Sequence, residues 1–322
     1  MELNKFLAEW HNDNPRILVH TSGSTGKPKP LMVEKRRMLN SARITCDFLG
    51  LKPGDTALLC MPLDYIAGKM MVVRSLQRDL RLTSVRPSSH PLADDALPSF
   101  TFAAMVPMQV YNTLKVPCER ERLMHIRHLI IGGGAISDEL AQMIKPLPNA
   151  VWSTYGMTET LSHIALRRLN GPDASLWYTP FDGVGISLNA DGCLVIDAPE
   201  VCAEPLVTND IAQLRTDDRT GKTLFRIKGR KDNVVCSGGI KIQIEEVEEA
   251  LRPHLSAPFM IVKKQDEMLG EKAILLTEST DLTHIEEICR NTLPKYWVPR
   301  EFLHIDRLPL TETGKPKRTL PF

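Results

Sequence analysis

The chain predicts an α/β protein followed by a smaller α+β unit, on three observations. Short apolar runs alternate with amphipathic helical patterns as far as about residue 155. From roughly 177 to 228 short strands are broken by turn dipeptides, Asp191-Gly192 and Thr220-Gly221, which suggests a small antiparallel sheet or barrel. Beyond Gly229, residues 230–322 mix strands with helices. The organisation expected is therefore 1–229 as one domain and 230–322 as another.

The elements follow in chain order. Ile17 to Val19 reads as a short strand, as do Ala57 to Met61, Phe100 to Met105, His128 to Ile131 and Ala150 to Ser153. Glu34 to Leu49 and Ser137 to Ile144 read as helices, the second with Ser137 as N-cap and Asp138 and Glu139 favouring its positive end. A helix over 68–79 carries Arg74, and an arginine on a helix is usually a surface residue. In the last unit Phe259 to Lys263 and Ala273 to Thr277 read as strands, and Thr283 with Glu286 has the spacing of a capping box.

Composition bounds the function. The 322 residues, 43% hydrophobic and 25% charged, can bury a sizeable core. A net charge of +1 gives no general attraction to nucleic acid or an anionic membrane, and Lys35-Arg36-Arg37 reads as a solvated helix face. Seven scattered cysteines without a CxxC pair read as reduced thiols rather than metal ligands. No run approaches the roughly 18 apolar residues of a membrane span, and the first ten residues lack a basic leader followed by an apolar run. A cytoplasmic protein is expected.

The stretch Thr21-Ser22-Gly23-Ser24-Thr25-Gly26-Lys27-Pro28-Lys29 combines flexible glycines, hydroxyl donors and positive charge. Such a loop is either an exposed turn or a cradle for phosphate. It is not a Walker A loop: only Ser24 and Thr25 separate the glycines, and Pro28 stands where a magnesium-binding hydroxyl belongs. Five further stretches repeat the theme. Gly132-Gly133-Gly134-Ala135 ends a strand before a helix and leaves bare backbone for a flat ligand. Ser153 to Thr160 puts Tyr155, Thr158 and Glu159 within five residues, types able to stack a base, touch a phosphate and hold magnesium. Asp210 follows Thr208-Asn209, Gly229 to Asn233 is followed by Ser237-Gly238-Gly239, and Lys315 closes Thr311-Glu312-Thr313-Gly314-Lys315 near the C-terminus. Each alone is equally a polar turn, a strand end or a linker.

Together and in this order, the stretches resemble the adenylate-forming superfamily of acyl-CoA synthetases, nonribosomal adenylation domains and luciferases. The likeness runs from about residue 16 to the end. It implies ATP, Mg²⁺ and coenzyme A. Thr21, Ser22, Gly23, Ser24, Thr25, Gly26 and Lys29 would grip the β and γ phosphates, and Gly133, Gly134, Ala135 and Tyr155 would hold adenine. Thr158 would contact the α-phosphate, Glu159 the metal, and Asp210 with Arg230 the ribose. Asp232 falls at the family's hinge, so the unit beyond it would be mobile. Lys315 would be the lysine delivered for adenylation, and Ser237, Gly238 and Gly239 would help shape the thiol tunnel.

Met61-Pro62-Leu63-Asp64-Tyr65-Ile66-Ala67-Gly68 is similar to the family's PLFH-x-x-G stretch, with Asp64 and Tyr65 where Phe and His are usual. Arg74 stands six residues past that glycine. With Ser162 and His163 after the YGMTET run, it most resembles the o-succinylbenzoate-CoA ligases of menaquinone biosynthesis. In that reading Arg74, Tyr65 and Ser162 form the acid pocket, where a guanidinium would pair with a second carboxylate. The readings beside it are a ligase for another aryl or aliphatic acid and a degenerate nucleotide-binding protein. Members carry a long segment before the phosphate loop, which here starts at residue 21. A homodimer is one way to cover the flank left exposed.

Overall fold

The computed structural model describes residues 1–20, 30–310, 317–318 and 320. The chain divides into two units, one of Met1–Ile186, Ile196–Leu206 and Leu214–Phe225, the other of Ser187–Val195, Val207–Gln213 and Arg226–Phe322.

In the first unit α1 (Leu3–His11), unread from sequence, buries Phe6 and Trp10 along one face. Strand β1 (Arg16–His20) pairs antiparallel with β2 (Pro30–Glu34); Ile17, Val19 and Val33 face inward while Leu18 and Met32 face out, the period-two alternation of a half-buried ribbon. Helix α2 (Lys35–Leu49) stops at Gly50, whose φ of 63° suits a residue without Cβ. Then follow β3 (Thr56–Leu59), α3 (Ile66–Arg78), β4 (Arg81–Ser84), β5 (Phe102–Met105), α4 (Pro107–Lys115), α5 (Pro117–Met124), β6 (His128–Ile131), α6 (Asp138–Ile144), β7 (Ala150–Gly156), β8 (His163–Arg168) and β9 (Thr179–Pro180). The prolines opening α4 and α5 occupy first-turn positions whose N–H would lack a helical partner anyway. Ser137 caps α6 as expected, its Oγ accepting from Leu140 N at 3.2 Å.

These strands form a seven-stranded sheet in the order β4-β3-β5-β6-β7-β8-β9. Pairing is parallel from β4 through β7 and antiparallel at β7–β8 and β8–β9. The parallel edge strand β4 is partly exposed, but every residue of the central strand β5 is buried, which explains its unbroken apolar sequence.

Strands β10 (Gly185–Leu188), β11 (Cys193–Asp197), β12 (Leu206–Thr216) and β13 (Thr223–Arg230) form a four-stranded sheet in that order, the sheet rather than the barrel of the two expectations. Their residues are divided between the two units. The turns expected at Asp191-Gly192 and Thr220-Gly221 separate β10 from β11 and β12 from β13.

In the second unit, β14 (Val234–Ser237), β15 (Ile240–Gln243), α7 (Ile244–Leu251), β16 (Phe259–Asp266), β17 (Gly270–Thr277), α8 (Leu282–Thr292) and β18 (Glu301–His304) follow. The sheet runs β15-β14-β17-β16, with β18 parallel to β17. Val235, Ile242, Val247, Leu251, Ile285 and Cys289 bring the sheet and both helices into one apolar core. The capping box read at Thr283 and Glu286 is corrected: Asp281 caps α8, accepting from His284 N at 3.1 Å. The helix begins at Leu282, so Thr283 already lies inside its first turn.

Five cysteines are buried; Cys118 of the first unit and Cys236 of the second are exposed. Arg318 reaches into the second unit. Its Nη1 and Nη2 hold the Glu248 carboxylate at 2.5 and 2.7 Å, and Nη1 donates to Ile261 O at 2.7 Å, while Glu248 Oε1 also accepts from Ile261 N at 2.7 Å. Removing one partner leaves a buried charge unmatched. Arg318→Ala is therefore expected to cost about 3–5 kcal/mol, read as a lower urea midpoint; an unchanged midpoint contradicts this.

Candidate functional site

Parallel strands carry their loops at their carboxyl ends, where diverging connections leave a crevice. In the first unit a cavity of about 180 Å³ opens there, lined by Met105 and Val106 after β5, Gly132 and Gly133 after β6, and Gly156 at the end of β7. Two glycines are required by space. A Cβ on Gly132 would lie 2.4 Å from Thr154 Oγ1, and one on Gly156 would lie 2.3 Å from Ser162 O. Bare backbone therefore faces the cavity.

Past β7 the chain turns sharply. Thr158–Thr160 forms a single 3₁₀ turn, and Leu161 sits at φ 64°, a conformation that costs a side-chain-bearing residue energy. Two interactions hold it there: the Leu161 side chain is buried, and Thr160 Oγ1 accepts from Met157 N at 2.9 Å while lying 2.6 Å from Ser162 O. The result places Thr158, Leu161, Ser162 and His163 along one cavity wall.

The lining also includes Tyr65, Ile66, Ala67 and Arg74. Arg74 is not the surface residue its helix suggested; it is 2% exposed because α3 is buried from Gly68 through Ser75. Arg74 Nη2 donates to Ser162 Oγ at 2.5 Å and Nη1 lies 3.9 Å from Met71 Sδ. Its Nε is buried without a partner, and among the described residues it has no ion pair. Burial pulls the guanidinium down to about 10, so it stays charged at neutral pH. Behind Ser162, His163 places Nδ1 3.2 Å from the serine Oγ and Nε2 3.1 Å from Thr45 Oγ1. Burial first, and the Arg74 charge second, push the imidazole well below its ordinary range, so it is neutral. A buried Lys69 on the same helix donates to the Leu18 carbonyl of β1.

Of the residues named from sequence, Tyr65, Arg74, Gly133, Thr158 and Ser162 meet around this cavity. Gly134, Ala135 and Glu159 stand in the adjoining loops and Tyr155 within β7, but none of the four lines it. Tyr155 packs edge-on to Phe225 at 5.0 Å, and Glu159 is exposed. In the second unit Arg230 bridges Asp210 at 3.5 Å and Asp232 at 3.0 Å. Ser237 ends β14, and Gly238-Gly239 forms the two-residue turn to β15, both at positive φ. Thr21 to Lys29 and Lys315 lie outside the described residues. His163 stood in the sequence without a role, and Thr45 had no signal: a threonine within an amphipathic helix reads as filler.

The AMP-binding enzyme family matches residues 4–203. The chain belongs to that family. A 2-succinylbenzoate–CoA ligase of Bacillus mycoides is 25% identical, over 95% of this chain and 69% of its own. An acyl-CoA synthetase (AMP-forming)/AMP-acid ligase II-like protein of Dyadobacter fermentans is 33% identical with a TM-score of 0.68, over 98% of this chain and 91% of that one. The o-succinylbenzoate coenzyme A synthetase of Bacillus subtilis, solved with ATP and magnesium ion, is 23% identical with a TM-score of 0.72, over 94% and 68%. The fold is that of the adenylate-forming enzymes. Among the described residues no helix is long and apolar enough to cross a membrane.

A half-buried and a buried histidine give the family member a pH signature. Burial, then the charges of Arg127 and Arg168, lower His128 to about 4, and His163 is lowered as well. In the unfolded chain both would take protons near pH 6.5. Below that pH the unfolded state binds more protons than the folded one, so stability falls as pH drops toward 4. The melting temperature is expected to decline through this window, and a flat profile would count against neutral buried imidazoles.

Proposed function

We propose that the protein is an ATP-dependent, AMP-forming acid-CoA ligase whose acid carries a second carboxylate, with o-succinylbenzoate as its substrate. One observation carries the substrate: a buried guanidinium with no counter-charge among the described residues, its Nε unpaired, in the lining of a cavity that Thr158 and the bare Gly132-Gly133 backbone also line. A carboxylate pairing with Arg74 would offset the cost of burying that charge. The names of the Bacillus relatives agree with this acid.

A carboxylate is a poor acyl donor, so its oxygen attacks the α-phosphorus of ATP and the bond to pyrophosphate breaks. The acyl-adenylate forms, and the thiol of coenzyme A then displaces AMP. Arg74 holds the distal carboxylate while the reacting one lies toward Thr158, whose hydroxyl contacts the α-phosphate. The phosphate loop Thr21 to Lys29 grips the outer phosphates, with Gly133, Gly134, Ala135 and Tyr155 about the adenine. Asp210 and Arg230 hold the ribose, and Lys315 offsets the negative charge that gathers during adenylation. The exposed Glu159 carboxylate next to Thr158 suits magnesium, which takes few protein ligands and completes its shell with water and phosphate. Bound there, the ion would neutralise phosphate charge. Asp232 serves as the hinge of the C-terminal domain from residue 230, and Ser237, Gly238 and Gly239 border the path of the thiol.

The deciding experiment supplies ATP, coenzyme A and o-succinylbenzoate and follows AMP and the thioester by mass. Both products are expected; a preference for monocarboxylic acids would overturn the substrate. Arg74→Ala should raise KM for o-succinylbenzoate about ten- to a hundredfold, the range of a lost hydrogen bond to a charged group. A monocarboxylic acid should show much less change. Lys315→Ala should slow adenylation far more than thioester formation from supplied acyl-adenylate, and equal losses would argue against its role.

A further inference from the structure

The Arg74 wall contains four side chains in series: Arg74 Nη2 to Ser162 Oγ, Ser162 Oγ to His163 Nδ1, His163 Nε2 to Thr45 Oγ1, and Thr45 Oγ1 to the Ser41 carbonyl at 3.1 Å. Arg74, His163, Thr45 and Ser41 are all buried. Its two ends have fixed roles, since a guanidinium only donates and a carbonyl only accepts. With the Thr45 hydroxyl donating to Ser41, Thr45 Oγ1 is left as an acceptor for a proton on His163 Nε2. His163 Nδ1 then carries a lone pair, and the Ser162 hydroxyl donates to it while its oxygen takes the Arg74 proton. The cation favours this direction too, because it turns the negative end of the neutral imidazole toward the guanidinium.

We propose that His163 is a positioning residue for the acid pocket: as the Nε2–H tautomer it fixes Ser162, and through Ser162 it aims Arg74 at the ligand. This deepens the reading of the acid pocket and rests on it for the ligand alone. The chain of donors commits the Ser162 proton to the protein. The Arg74 wall therefore turns guanidinium protons toward a ligand, a match for a carboxylate. His163→Phe keeps the ring against Phe181, which it meets edge-on at 5.4 Å, and removes both hydrogen bonds.

Two readouts need no acid. Nitrogen-15 spectra of the full chain at pH 7.5 should show His163 as the Nε2–H tautomer. The Arg74 Nη protons should show hindered rotation that His163→Phe releases. A third readout uses substrate: His163→Phe should raise KM for o-succinylbenzoate about tenfold, as expected for one weakened charge-assisted contact, and change that for a monocarboxylic acid far less. A His163 proton on Nδ1, an imidazolium at that pH, or an Arg74 signal indifferent to His163→Phe would overturn the relay. A wild-type protein that shows both spectral signatures but does not favour the dicarboxylate would support the relay and overturn the acid reading instead.

Discussion

A guanidinium cannot shed its proton at any ordinary pH, so burying one without a carboxylate forces its surroundings to compensate. Much of the first unit's carboxyl edge follows from that constraint at Arg74. Ser162 supplies an oxygen, His163 is kept neutral by its burial and then by the neighbouring cation, and Thr45 satisfies the far side of the ring. The turn that brings Ser162 to the guanidinium requires Leu161 in an unfavourable conformation. A fold that only needed stability would fill this space with aliphatic side chains.

The parallel strands set where this can happen. Their carboxyl ends diverge, and glycines at 132 and 156 keep the connections from closing the gap. The lining comes from distant parts of the chain: α3 brings Arg74, and the exit of β7 brings Thr158 and Ser162, which meets it.

How much of this was legible from sequence depended on whether the signal was local. β6 was read over its observed bounds because three apolar residues stand between a polar strand start, His128, and three glycines. Ser137 was recognised as a cap because its partner is three residues away. The Asp281 cap was missed for a neighbouring Thr/Glu pair of equally plausible spacing, since spacing alone does not say where a helix begins. The motif residues of the site were found by type and order. Arg74 was placed in the acid pocket only through the resemblance, because its burial depends on helix α2 and the β7–β8 turn, both distant in sequence, and its helix alone left the surface equally open. Thr45 carries no pattern, and His163 entered only as part of a motif without a role; only the fold makes them neighbours.

The distribution of thiols has a practical consequence. With Cys118 exposed on one unit, Cys236 on the other and the remaining five enclosed, the native chain already carries one addressable handle per unit. A donor and acceptor dye attached to those two sulfurs would report the separation of the units as ATP, acid and coenzyme A are added in turn. Thermal exposure of the enclosed five would register as a separate burst of reagent uptake, so one chemistry can follow both rearrangement and unfolding in the unaltered sequence.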